Sequence, residues 1–193
     1  MKKSHYLLLS FLAGLCVTAR VQAQTSTFNS MTVKITGQKQ GWIKGGIVQK
    51  GREGLIQGIS MDQTMSRAFT AQDRATNREQ AALEMGVLKF NKPVDKSSPL
   101  LQKALSDAET LSRVEFSFYG RRDLAQTGAA GAETITYTIV LTDARIVGIQ
   151  DVFTPASAAN PMNFQETVSL VFTKIEWTWV DGGITHQVSR TNP

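Results

Sequence analysis

The chain has 193 residues, of which 41% are hydrophobic and 19% are charged, and its formal net charge is +5. This length suits one domain with a sizeable core and is too short for two comfortable ones. One cysteine and two histidines exclude an internal disulfide framework and leave few ligands for a transition metal.

The N-terminus has the three parts of a secretory signal. Two lysines precede an apolar run over residues 6–17, and Ala23 ends a short pattern of small residues suited to cleavage. We therefore predict a signal peptide over residues 1–23 and a single domain over residues 24–193. The mature protein is then expected to be secreted or periplasmic, without a membrane partner after cleavage.

Two alternatives exist for this segment. It could be an uncleaved amphipathic or membrane anchor, although the apolar run is shorter than the ~20 residues that span a bilayer. Cys16 could be acylated as in a lipoprotein, although the bulky Leu15 before it disfavours this. Cleavage after Ala23 leaves a chain without cysteine, with 18 of the 21 basic residues against 16 acidic ones, a net charge of +2. No basic stripe with stacking aromatics follows, so no nucleic-acid partner is predicted.

The first predicted element after the signal is a strand. Apolar and polar residues alternate over residues 31–36, which is typical of a half-buried strand, and Gly37 ends it. The following segment to Gly58 is rich in glycine and predicts short strands with tight turns. Trp42 and Ile43 are expected to anchor this segment to the core.

The segment Ser60–Ala82 loses periodicity and is polar around isolated Met65 and Phe69. We predict a surface excursion here, because long loops inside compact domains are often functional or stabilised by a partner. A merely solvated loop is the alternative.

Strand character returns over residues 83–90, and Pro93 ends it. One helix follows, since Ser98 can cap it and Pro99 fits the first helical position. Its predicted apolar face comprises Leu100, Leu101, Ala104, Leu105 and Ala108.

Two cleanly alternating strands come next, over residues 114–118 and 135–141, and we expect them to pair. Residues 146–149 continue or start a further strand. Many strands, one helix and no alternation of strands with helices predict a mainly β fold, either a compact β-barrel or two packed sheets.

The last long segment, Glu166–Trp179, changes its apolar face partway along. Because side chains in a strand alternate with a period of two, this change predicts a bulge, a bend or a strand that serves two apolar environments. Trp177 and Trp179 are either core residues or anchors of a subunit interface. The two apolar sets are Val168, Leu170 and Phe172, then Ile175, Trp177 and Trp179.

Catalytic patterns are scarce. The one histidine after the signal, His186, lies in an apparently loose tail, and no G-x-S-x-G nucleophile elbow accompanies it. Glu115, Glu166 and Glu176 could supply paired acids for glycoside hydrolysis, but solvated or interface charges explain them better. We predict a protein that is not an enzyme and that uses no cofactor and no metal.

Four segments together resemble the Hcp family, the haemolysin-coregulated tube protein of bacterial type VI secretion. They are MTVKITG (Met31–Gly37), GWIKGGIVQKGREGLIQGISM (Gly41–Met61), KPVDKSSPLLQKA (Lys92–Ala104) and VSLVFTKIEWTW (Val168–Trp179). The resemblance implies a compact β-barrel of two antiparallel sheets with one short α-helix. It also implies homo-hexameric rings that stack into the inner tube and carry effectors, with other tube, spike or effector proteins as partners.

The resemblance also implies that the excursion reaches a neighbouring subunit or a neighbouring ring. A cleavable signal departs from the family pattern, so the alternative is an exported Hcp-like binding module outside the secretion tube. The candidate subunit-interface residues are Met65, Arg67, Phe69, Arg74, Trp177 and Trp179.

Overall fold

The computed structural model describes residues 28–67, 83–120, 133–155 and 164–190. Within these ranges, no helix has the length and apolar character needed to cross a membrane. The helix of this part of the chain is α1 (Ser98–Ser106), and its strands are β1 (Phe28–Gly37), β2 (Gly41–Ile43), β3 (Ile56–Gly58), β4 (Ser60–Asp62), β5 (Met65–Arg67), β6 (Leu83–Met85), β7 (Leu88–Pro93), β8 (Thr110–Gly120), β9 (Thr134–Phe153), β10 (Phe164–Val171), β11 (Lys174–Trp179) and β12 (Ile184–Ser189).

The strands pair antiparallel throughout. One ten-stranded sheet has the order β2-β1-β8-β9-β10-β7-β4, with β3 on β1 and the β11–β12 hairpin on β9, while β5 and β6 form a separate pair. The predictions of a mainly β fold, antiparallel sheets and one short helix are confirmed. The prediction of a closed barrel is wrong. Closure would have to occur through the segment that contains β3 and β4, but its pairing changes at Ile59. Before this residue β3 pairs with β1, and after it β4 pairs with β7.

The large sheet bends along one line that crosses neighbouring strands. In β8, in β9 and between β10 and β11, consecutive core residues are three positions apart instead of two. The residues that face the core therefore change there between odd-numbered and even-numbered positions. This confirms the change of face expected in the last segment. Thr173 lies at the bend and donates from Oγ1 to the Thr142 carbonyl at 3.1 Å, and Asp143 beside it has a positive φ of 48°. The flanking buried pairs are Leu111 and Val114, Leu141 and Ala144, and Phe172 and Ile175.

The bend lets the two halves of the sheet enclose a single apolar core. Phe116 on β8 meets Phe90 on β7 edge-to-face, with ring centroids 5.4 Å apart. The helix contributes Leu101 and Ala104, both buried. Burial of such side chains is worth about 1.5–3 kcal/mol each, so this core is the main source of stability.

The predicted helix is confirmed, but its face is narrower than expected. Leu100 is 38% exposed, and Ala108 lies beyond the helix with a φ of 47°. Ser97 occupies the position before the helix, so Ser98 falls in the first turn. A helix nine residues long has room for only one narrow buried stripe.

The predicted strand pair is confirmed in its register. Phe116 of β8 lies opposite Ile139 of β9, and β9 continues without interruption to Phe153. The glycine-rich segment does contain short strands, and Ile43 is buried, but Trp42 is 40% exposed and lies between two lysine side chains. Its role as a core anchor is therefore wrong.

The predicted excursion is shorter than expected, because β4 and β5 occupy its first residues. The remainder, residues 68–82, lies outside the described residues. The expectation of a loose tail around His186 is wrong, since β12 pairs with β11 over six residues. Its sequence, ITHQVS, lacks an apolar alternation and so gave no strand signal.

Candidate subunit interface

Cross-strand register places aromatic side chains from four strands at one end of the large sheet. Trp179 of β11 lies opposite Tyr137 of β9, which lies opposite Phe118 of β8, and Phe28 of β1 closes the group. Phe28 contacts both Phe118 and Trp179 edge-to-face, at centroid distances of 6.1 and 6.4 Å. We call these four residues the aromatic cluster. Burial raises the pKa of the Tyr137 hydroxyl, and Phe28 remains 44% exposed.

Trp177 lies on the same side of β11 but makes a different contact. Its ring stacks on His186 of β12 with centroids 5.9 Å apart and planes only 10° from parallel. Trp179 therefore links the hairpin to β1 and β9 through ring contacts, whereas Trp177 contacts the other strand of its own hairpin. Both are half-buried and extend from the core toward the surface, which suits a residue that serves the core and an interface together.

Met65 and Arg67 lie on β5, apart from the tryptophan hairpin. Met65 packs against the core, and Arg67 is exposed. Arg190, just after β12, donates to the Met85 carbonyl at 3.0 Å and so ties the paired strand β6 to the end of the chain's last hairpin. The other two candidates, Phe69 and Arg74, fall outside the described residues.

The Hcp-like segment that begins at Lys92 forms a buried polar cluster. Lys92 lies directly opposite Glu166 in the β7–β10 register, and its Nζ is 2.5 Å from Glu166 Oε1 and 3.0 Å from Asp95 Oδ1. The Ser98 hydroxyl donates to the same Glu166 oxygen at 2.8 Å. Lys92 and Glu166 are 0% and 1% exposed, so the reading of Glu166 as a solvated or interface charge is wrong.

Sequence reasoning missed this cluster, although a signal was present. Lys92 and Glu166 both occupy positions that alternation assigns to the core, two residues from Phe90 and Val168 respectively. Two opposite charges at core positions predict a buried pair. Burial opposes ionisation of Asp95, but hydrogen bonds with Ser97 and Lys92 outweigh it, and the pKa of this carboxyl lies below its ordinary value.

The side of the sheet that faces away from the core is polar, and charged side chains on it form ion pairs with one another. Arg113 pairs with Glu115 at 3.1 Å along β8, and Lys174 pairs with Glu176 at 3.6 Å along β11. Glu166 is buried on the other side of the sheet and is thereby separated from Glu115 and Glu176, which each form an ion pair on the polar side. Across the described ranges, His, Cys, Asp and Glu side chains form no group of three that could hold a metal ion.

A second buried carboxylate holds the turn between β1 and β2. Glu109 accepts from the backbone N–H groups of Lys39 and Gln40 at 2.7 and 2.9 Å, and from the Gln40 side chain at 2.8 Å. Burial opposes ionisation, but these hydrogen bonds lower the pKa of Glu109 below its ordinary value. The contact fixes the edge of the sheet next to α1.

Comparison with known proteins gives one consistent result. Residues 32–179 match the family described as "Type VI secretion system effector, Hcp". The "Major exported protein" of Pseudomonas aeruginosa is 34% identical over an alignment of 167 residues, which covers 83% of this chain and 90% of that protein.

Solved structures agree. A mutant Hcp1 from E. coli EAEC 042 superposes with a TM-score of 0.67 at 25% identity, covering 83% of this chain and 97% of that one. The secreted protein Hcp3 from Pseudomonas aeruginosa gives 0.62 at 28% identity, covering 82% and 98%.

Proposed function

The chain belongs to the Hcp family of type VI secretion proteins, and from this membership we propose that it assembles into closed rings of six identical subunits. It is a homologue of the type VI secretion tube protein. In this role it builds a conduit and is not an enzyme, and its partners are further copies of itself together with tube, spike or effector proteins. Effectors would travel inside the rings.

The observation that carries ring formation is the aromatic cluster, which extends the core to an exposed end of the sheet. A ring needs two different surfaces that meet head to tail, with a rotation that closes. Tryptophan is enriched among residues that dominate such contacts. We assign Trp177 and Trp179 to this interface, with Met65 and Arg67 on the β5–β6 pair and, in the segment outside the described residues, Phe69 and Arg74.

Export is the second part of the proposal. Residues 1–23 would direct the chain through the general secretory route, and the mature protein would begin at Gln24. The name of the Pseudomonas relative, "Major exported protein", supports export but not the route. Sequencing of the N-terminus of the protein recovered outside the cytoplasm tests the route, and an intact Met1 there would refute it. The exported binding module has no support from the family match.

Native mass spectrometry of residues 24–193 tests the ring. We expect a closed six-subunit species at micromolar concentration, and a strictly monomeric protein at tens of micromolar would contradict the proposal. The matched variants are Trp179→Ala and Trp42→Ala, because both tryptophans are partly exposed but only Trp179 belongs to the aromatic cluster. Trp179→Ala should weaken the ring by about 2 kcal/mol or more per contact, whereas Trp42→Ala should leave it intact.

A further inference from the structure

An exposed tryptophan lies between two lysines on the polar side of the sheet. Trp42 of β2 is 40% exposed, and the Nζ atoms of Lys34 and Lys44 lie 5.3 and 5.0 Å from the centre of its ring. Ile35 lies opposite Ile43 in the β1–β2 register, so the lysines that adjoin these two residues are neighbours. We call Trp42, Lys34 and Lys44 the tryptophan–lysine site.

The ring of Trp42 is held in place by the glycine-rich segment. Gly54 has a positive φ of 74°, and a Cβ atom on it would lie 3.3 Å from two carbon atoms of the ring. Because this residue has no side chain, its backbone can approach the ring closely. The ring is therefore fixed on one part and open to solvent on another. A rigid, partly exposed tryptophan is typical of residues that dominate contacts between proteins.

The two lysines carry charges that no acidic side chain of the described residues neutralises. Lys34 and Lys44 form no ion pair there. Glu115 lies opposite Lys34 in the β1–β8 register, but it pairs with Arg113 at 3.1 Å. Two cations thus share one aromatic ring, and the nearest carboxylate along the register is already engaged.

A second contact between a cation and a ring differs in one component. The guanidinium of Arg52 lies 3.4 Å above the ring centre of Tyr119, and it also pairs with Glu133 at 3.1 Å. That arrangement contains a ring, a cation and a carboxylate. The tryptophan–lysine site contains a ring and two cations, so the component that would complete it is a carboxylate from elsewhere.

We propose that the tryptophan–lysine site binds an acidic peptide segment of another protein. Carboxylates of the segment pair with the two ammonium groups, and its methylene groups lie on the exposed part of the indole ring. Both ammonium groups are close to one ring, so two carboxylates of one short segment can reach them together. A lysine ammonium is a compact charge on a flexible stem, so the segment needs acidic residues but no fixed geometry. The site is separate from the aromatic cluster, and the inference therefore goes beyond the proposed ring and does not require it.

Fluorescence polarisation with labelled hexaglutamate tests the site in residues 24–193 at low ionic strength. The double variant Lys34→Gln with Lys44→Gln should bind about tenfold more weakly than the parent, because two exposed ion pairs are lost. The matched control is Lys89→Gln with Lys96→Gln, which removes two exposed lysines and the same charge at other places. It should bind like the parent. Equal losses in the two double variants, or no binding of hexaglutamate by the parent, would overturn the inference.

Two further measurements separate this partner from others. Trp42→Leu keeps an apolar side chain but removes the ring that attracts both ammonium groups, and it should bind hexaglutamate several-fold more weakly. A single-stranded oligonucleotide of equal charge should bind more weakly than the peptide, because one tryptophan offers a single stacking platform. Tighter binding of the oligonucleotide would overturn the acidic peptide as the partner.

Native mass spectrometry separates this inference from the proposed function. The Lys34→Gln, Lys44→Gln variant should assemble like the parent, and a lost assembly would overturn the inference by placing the site in a subunit contact. A parent that binds hexaglutamate but forms no rings would refute the proposed function and support the site.

Discussion

Removal of Lys92 should destabilise the protein more than removal of its partner Glu166. Lys92→Met leaves a buried carboxylate that keeps only the Ser98 hydroxyl, because Glu166 Oε2 has no hydrogen-bond partner. Breaking a buried pair in this way costs about 3–5 kcal/mol. Glu166→Gln costs less, about 1–3 kcal/mol, because Asp95 still pairs with the lysine at 3.0 Å.

Urea unfolding of residues 24–193 followed by tryptophan fluorescence gives these differences directly. For a domain of this size, the Lys92→Met loss corresponds to a fall in Tm of roughly 6–20 °C. The double variant Lys92→Met with Glu166→Leu should recover a large part of the loss, because no unpaired charge then remains between β7 and β10.

Two results would refute this reasoning. A Lys92→Met variant within about 1 kcal/mol of the parent would mean that water reaches the pair. Strict additivity of Lys92→Met and Glu166→Leu in their double variant would mean that the two residues do not interact.

Three further variants examine other contacts. Glu109→Gln should lower stability at pH 7 by about 1–2 kcal/mol. Because the folded pKa of Glu109 lies below its ordinary value, the difference should shrink as pH falls below about 4.3, where the parent loses the same carboxylate, and a constant difference from pH 7 to pH 3 would contradict this. Gly45→Ala should cost about 1–3 kcal/mol in urea unfolding, because its Cβ would lie 2.5 Å from Ile56 Cα, whereas Gly148→Ala, with no contact under 3.8 Å, should be better tolerated. His186→Ala removes the stack on tryptophan and should cost about 0.5–1.5 kcal/mol with a change in near-ultraviolet circular dichroism, and identical spectra would argue against the stack.

Features set by local alternation could be predicted from the sequence. The β8–β9 pairing follows from two strands with one clean apolar side each, so Phe116 could only face the core beside Ile139. The change of face before Ile175 likewise required a bend, because its parity conflicts with that of Leu170 in any straight strand.

Features that depend on distant partners cannot be predicted from one segment taken alone. A lone charge such as Glu166 is ordinarily solvated, and its burial follows only from Lys92, which lies 74 positions earlier in the chain. His186 offered no apolar pattern, and β12 exists because β11 presents an edge for it to pair with. The strand pattern allowed either a compact barrel or two packed sheets, and the family resemblance favoured the barrel. The division at Ile59 was not visible in a segment of short strands and glycines.

The bend across β8, across β9 and between β10 and β11 determines which side of the sheet every later side chain occupies. Where a strand passes through the bend, two consecutive core residues are three positions apart instead of two. Every later side chain then lies on the opposite side of the sheet from the one it would occupy in a straight strand. Loss of a single residue at Thr173 would therefore place Ile175 in solvent and Lys174 in the core, with no local change of composition. The turn at residues 180–183, in which both glycines have positive φ, does not set this alternation of side chains between the two sides of the sheet. Length variation among natural relatives should accordingly collect in turns of that kind and be absent from the bend.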